Sequence, residues 1–191
     1  MSQPSLERVF AILLLAAVLN AGILSVRYTQ LRRFGAPVGT GICSFTDKVD
    51  CDKVLVTPQA RAFFVPNAYL GLSFFLGCAI FWFRGKRLPS EYKIYLNHIL
   101  LYLLGLGILF TLVFWWLLLH LPALCPLCPW NHLLIYLLFG CMWKLIKMDL
   151  AQNISPKLSF QILLKEPIVR LAVISVSPFV LIHLIWLIQP F

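Results

Sequence analysis

Runs of apolar residues long enough to cross a lipid bilayer fix what this chain can fold into. A spanning helix needs about 20 mainly apolar residues, and segments 9–26, 63–83, 99–121, 125–145 and 168–188 each meet that test. The third can begin a turn earlier, because 92–97 is amphipathic. The first run is too long for a secretory signal and no small-residue cleavage site follows it, so it reads as a retained helix. Neither an internal repeat nor a low-complexity tract interrupts the pattern. The expectation is an all-α integral membrane protein forming a single membrane domain over 1–191, with polar connectors and no appended soluble domain.

Composition and charge narrow the class. Hydrophobic residues make up 61% and charged residues 12% of the chain, and the second figure is about half that of a soluble globular domain. The net charge of +9 does not signal a nucleic-acid partner. Its basic residues sit in short clusters between apolar runs, such as Arg84, Lys86 and Arg87, where they set membrane topology. With the N-terminus in the cytoplasm, ten basic residues fall inside and six outside, with Arg32 and Arg33 among the six. Cys43, Cys51, Cys125 and Cys128 then share the outer side, as expected in an oxidising compartment.

Cys78 and Cys141 lie among apolar neighbours inside spans and read as packing. The other four form two pairs, CSFTDKVDC from Cys43 to Cys51 and CPLC from Cys125 to Cys128. Three chemistries compete for them. A structural disulfide framework suits Cys43 and Cys51, but a bridge across CxxC closes so short a loop that it restrains little. A four-thiolate metal site suits the CxxC half but not the wider spacing. A redox relay uses both pairs. Pro126 and Pro129 suit the first turn of a helix, so the fourth span starts near Pro126, with both thiols at a helix N-terminus whose partial positive charge favours a thiolate. Cys125, Cys128 and His132 follow at spacings of three and four, one helix face. His132 would then line an apolar pocket for a small redox molecule, or satisfy a neighbouring carbonyl.

The arrangement resembles the vitamin K epoxide reductase family in its bacterial form. The matching residues are CSFTDKVDC, the DKVLVTP that follows it, PNAYLG at the second span, and CPLC opening the fourth. The wider pair comes first in the chain, the reverse of the order in the DsbB family of quinone-linked disulfide oxidases. The resemblance implies a four-helix transmembrane bundle over about 5–147, with an extra helix at about 168–188. It implies that Cys43 exchanges with a thioredoxin-fold partner, that Cys51 passes electrons to Cys125, and that Cys128 reduces a quinone, ubiquinone or menaquinone. It also carries Thr57 and Asn67 over as quinone-binding positions, and puts His132 where vertebrate members have a tyrosine. Gly35, Gly39 and Gly41 suit a flexible lead-in to the loop pair, or ordinary turns.

The expected function is therefore a quinone-dependent thiol–disulfide oxidoreductase of the bacterial inner membrane, with the active site on the periplasmic side. It would reoxidise a separate periplasmic, DsbA-like disulfide-introducing protein. The alternative within the class is a quinone or vitamin K epoxide reductase acting for its own product. From other classes come a thiolate metal-binding or transport protein and a structural subunit with inert disulfides.

Overall fold

The computed structural model describes residues 2–62, 65–87, 90–121, 123–151, 176, 180 and 181. Helix α1 spans Gln3–Arg33, α2 Cys51–Leu55, α3 Asn67–Gly85, α4 Ser90–Leu119 and α5 Leu127–Ala151. A single 3-10 turn (Pro58–Ala60) and a two-residue antiparallel ribbon, Arg61–Ala62 with Val65–Pro66, lead into α3. The expected span at 168–188 lies outside the described residues apart from three positions.

Each long helix forms where the sequence is apolar, and packing selects which face turns inward. On α1, Leu6, Phe10, Leu14, Ala17, Ala21, Leu24, Tyr28 and Leu31 are buried at spacings of three or four, which traces one helix face. Ile12, Leu15, Leu19, Ile23 and Val26 on the opposite side are exposed although apolar. A helix apolar all round is suited to lipid. At about 1.5 Å per residue, the 31 residues of α1 reach roughly 46 Å, well beyond the ~30 Å hydrocarbon layer. Its last two turns, with Arg27, Arg32 and Arg33, therefore stand above the apolar zone.

Helix α1 is central, packed on α3 and α5, while α4 lies against α5 and α3. The core between them includes Phe10, Trp82, Leu100, Leu104, Leu134, Leu138 and Met142. Gly107 lets α4 approach its neighbours closely, since a Cβ there would collide with Ile135 and meet Phe74 Cζ at 3.1 Å. Gly107→Ala is expected to cost about 1–3 kcal/mol through overpacking, read as a lower thermal midpoint in detergent.

Among the described residues, three helices are apolar enough to span on composition alone: α1, α3 and the Tyr95–Leu119 part of α4. Helix α5 falls short of that standard. Asn131 and His132 near its start, and Lys144, Lys147 and Asp149 near its end, dilute its hydropathy, although its middle lies in the bundle core. Several buried polar groups at the end away from the cysteines are paired. Asp149 accepts from Gln3 Nε2 at 2.7 Å and Asn97 Nδ2 at 3.0 Å, and Glu7 bridges Lys86 and Lys93. These contacts tie α1 to α4 and α5 and to the α3–α4 corner.

Candidate functional site

The site is assembled by a loop folded back over the cysteine-bearing end of the bundle. Asp50 starts α2 by accepting from the Asp52 N–H (2.9 Å) and, more weakly, the Lys53 N–H (3.4 Å), an N-cap that satisfies two otherwise orphan donors. It also accepts from the Ser44 hydroxyl. Ser44 and Asp50 form an antiparallel bridge, which brings Cys43 and Cys51 together, and the two are joined in a disulfide.

The same strand then pairs with the segment entering α5. Val49 and Leu124 form a parallel bridge. The Asp50 N–H donates to Leu124 O at 2.9 Å, and the Leu124 N–H donates to Lys48 O at 2.8 Å. Cys51 follows Asp50 and Cys125 follows Leu124, so these two hydrogen bonds set the loop pair beside the CxxC pair. Cys51 and Cys125 are both 0% exposed and share one apolar cluster with Cys43, Leu24, Tyr28, Val54, Leu55 and Ala123.

Helix α5 begins at Leu127, one residue after the expected Pro126. The Cys128 N–H donates to Cys125 O at 3.1 Å, a tight turn. Within it the Cys128 thiol donates to Cys125 Sγ at 2.8 Å, and both cysteines are free. One turn below Cys128, His132 is nearly buried, its ring 5.6 Å from that of Trp115 and 6.3 Å from that of Phe114.

An ion pair that the sequence alone did not suggest holds the loop to α1. Asp52, fully buried, accepts from Arg27 Nε at 2.8 Å and from the Arg27 guanidinium at 2.6 Å on its second oxygen. The Gly39 and Gly41 N–H groups donate to that second oxygen at 2.9 and 3.0 Å. Arg27 also donates to Pro37 O and Thr40 Oγ1, and Arg32 donates to Val56 O at 2.7 Å beyond α2. Two of the six basic residues expected on the outer side thus brace the loop. Gly39 and Gly41 do not act as a slack lead-in: Gly39 takes φ +90°, and a Cβ on Gly41 would meet Asp52 Oδ1 and lie 2.9 Å from Arg27 Nε. Gly41→Ala should therefore loosen the clamp and expose Cys43 and Cys51 to reductant, measured as faster alkylation after mild thiol treatment.

The Arg27 guanidinium, helped by the Gly41 and Gly39 N–H groups, holds the Asp52 carboxyl below the usual carboxylate range. A depressed folded value contributes stability above the unfolded value, near 4, and loses it as pH falls through the folded value. The loop clamp is expected to hold from neutral pH down to about 4 and to release below that, seen as acid-dependent access to Cys43.

The remaining expected residues are spread around this centre. The Thr57 hydroxyl donates to Val54 O at 2.7 Å, closing the turn after α2. Asn67 opens α3, with Nδ2 donating to Gln59 O at 3.0 Å and with Oδ1 buried and lacking a hydrogen-bond partner among the described residues. A groove of about 700 Å³ lies on the flank of α1, lined by Val18, Gly22, Arg27, Thr40, Ile42 and Leu72 among others; Thr57, Asn67 and His132 do not line it. Among the described residues no three His, Cys, Asp or Glu side chains converge as a metal site.

Apolar helices in a bundle, with one disulfide and one dithiol registered side by side at its end, define a membrane oxidoreductase by fold and site together. The model of the vitamin K epoxide reductase family matches residues 8–143, and the chain belongs to that family. No curated protein and no solved structure matches it.

Proposed function

We propose that this protein oxidises the dithiol of a thioredoxin-fold protein and delivers the electrons to a membrane quinone through Cys43/Cys51 and then Cys125/Cys128. The observation that carries this reading is the register of Val49 with Leu124, which sets Cys51 beside Cys125 in one buried cluster. Thiol–disulfide exchange needs direct approach of sulfur to sulfur, and a backbone ladder is a fixed means of arranging it.

The exchanges balance as follows. A partner thiolate attacks Cys43, breaking the Cys43–Cys51 bond and releasing Cys51; the second partner thiol then displaces Cys43 and leaves with the disulfide. The Cys51 thiolate attacks Cys125 in an oxidised CxxC pair, releasing Cys128. Cys43 next attacks Cys51, restoring the loop disulfide and leaving Cys125 and Cys128 as a dithiol. The Cys43–Cys51 bond with Cys125 and Cys128 unbonded matches the pairing this last step would leave. Cys43 is only 5% exposed, so partner access requires the loop to shift.

The rings one turn from Cys128 suit a quinone head: Phe114 stacks on His132 and Trp115 lies tilted beside it. Asn67, at the start of α3, carries a buried Oδ1 able to accept from a hydroquinone O–H. When bound, the quinone supplies a two-electron, two-proton sink that returns Cys125 and Cys128 to a disulfide. The ten-to-six distribution of basic residues supports an N-terminus in the cytoplasm and the site in the oxidising compartment.

The test is quinone reduction by the purified protein in detergent, followed by absorbance with a reduced thioredoxin-fold donor and either ubiquinone or menaquinone analogues. Wild type is expected to turn over and Cys43→Ala to be inactive with the protein donor. Absence of turnover with every donor and quinone, or full activity in Cys43→Ala, would overturn the proposal.

A further inference from the structure

Asn20 is a polar residue two-thirds of the way along the most apolar stretch of α1. It is 6% exposed, with Ala17, Ala21 and Leu24 buried around it. Burying an amide costs about 1–3 kcal/mol unless it is hydrogen-bonded, and polar groups at such depth usually have a specific partner. Asn20 has one: its Nδ2 donates to Leu127 O at 2.9 Å. Leu127 lies between Cys125 and Cys128. A side chain 107 positions away thus grips the backbone inside the CxxC turn.

The turn that Asn20 grips is the one that must close. The two sulfurs stand 2.8 Å apart with Cys128 donating to Cys125, while a disulfide requires about 2.05 Å and a defined torsion. The Leu127 carbonyl belongs to the backbone segment whose torsions set how closely the two cysteines approach and at what angle, so holding it constrains the pair. The other end of the tether does not yield, because α1 is locked on both α3 and α5 through Phe10, Leu14, Ala17 and Ala21.

We infer that Asn20 is a positioning residue for the CxxC pair, holding the Leu127 carbonyl so that the turn favours the dithiol over the disulfide. This rests on the relay reading for its functional weight, but the tether acts on the redox equilibrium of the pair itself. Losing the bond removes a stabilising contact from the reduced state, so Cys125 and Cys128 oxidise more readily. One neutral hydrogen bond corresponds to about a fivefold change in that equilibrium. No shift is expected at Cys43 and Cys51, whose loop is held by Arg27 and Asp52 instead.

The experiment equilibrates full-length protein in detergent with graded glutathione redox buffers, quenches by alkylation, and reads each cysteine pair by peptide mass. Asn20→Leu and Asn20→Ala remove the donor, the first keeping the branched side-chain shape. Both are expected to shift Cys125/Cys128 about fivefold toward the disulfide, with Cys43/Cys51 unchanged. Asn20→Gln, which retains the donating amide, is expected to recover part of the shift. Should Asn20→Leu fail to fold, Asn20→Ala is read in its place. An equilibrium within twofold of wild type, or an equal shift at both pairs, would overturn the inference. A wild-type CxxC pair that never oxidises would overturn it together with the relay. Loss of quinone turnover with the shift intact would strike the relay alone.

Discussion

Cys128→Ser is expected to lower quinone reduction by about a thousandfold or more, the scale seen when one member of a cooperating catalytic set is removed. The reason lies in the order of the sulfurs. Cys128 Sγ stands 2.8 Å from Cys125 Sγ, and no other free thiol is placed in that turn. Without it, a Cys125 thiolate can still attack Cys51, breaking the Cys43–Cys51 bond and forming Cys51–Cys125. Cys43 leaves as a thiolate. Cys43 can only return to Cys51 and reverse the step, while nothing at position 128 can displace Cys51 from Cys125 and carry the electrons on, so the mixed disulfide is populated in equilibrium with the Cys43–Cys51 bond. Non-reducing peptide mapping should find Cys51 joined to Cys125 in this variant and not in wild type. Retained turnover, or a variant with only the Cys43–Cys51 bond, would remove the basis for the relay.

Arg27→Ala is expected to destabilise the loop by about 3–5 kcal/mol, because it leaves a buried carboxylate without its cation. Asp52 is fully enclosed, with Arg27 as its ion-pair partner, and its remaining donors are the Gly39 and Gly41 N–H groups. An energy of that size corresponds to a fall in Tm of about 10 °C in a chain of this length, followed by thermal unfolding in detergent. Activity should fall with it, because α2 and the Val49–Leu124 bridge hang from the same clamp. The double variant Arg27→Met, Asp52→Leu is expected to recover most of the stability, since a buried pair replaced by apolar groups of similar size loses little. A single variant as stable as wild type would show that water or another group reaches Asp52.

The two effects illustrate different degrees of legibility. Cys43, Cys51, Cys125 and Cys128 were readable because cysteine chemistry is tied to spacing and to position at the end of an apolar run. The helices were readable for the same reason: α1, α3 and α4 follow runs that have no stable home in water. The composition of α5 is more ambiguous, since a helix that carries the site at one end and charges at the other loses the plain apolar signature. Arg27 counted only as a charge against the expected topology, and Asp52 attracted no role at all. Their pairing spans a 25-residue separation, and no local pattern announces a contact of that kind. Gly41 looked like slack, although its missing side chain makes room for the ion pair. Asn20 carried a signal that was available, a lone amide in an apolar span, but its target was not.

What the sequence by itself determined is the class of environment and the chemistry on offer: apolar runs that require lipid, and two pairs of thiols at their outer ends. Hydrophobic length and the reactivity of sulfur are local properties, written residue by residue. Only the tertiary structure supplied the two backbone hydrogen bonds between Lys48–Asp50 and Leu124 that set Cys51 and Cys125 in one buried cluster. It also decided that Arg27, Asp52 and Asn20 hold the two pairs in place. Those are relations between distant segments, set by how the α1 face packs and where the loop can close, and the chain acquires them only on folding.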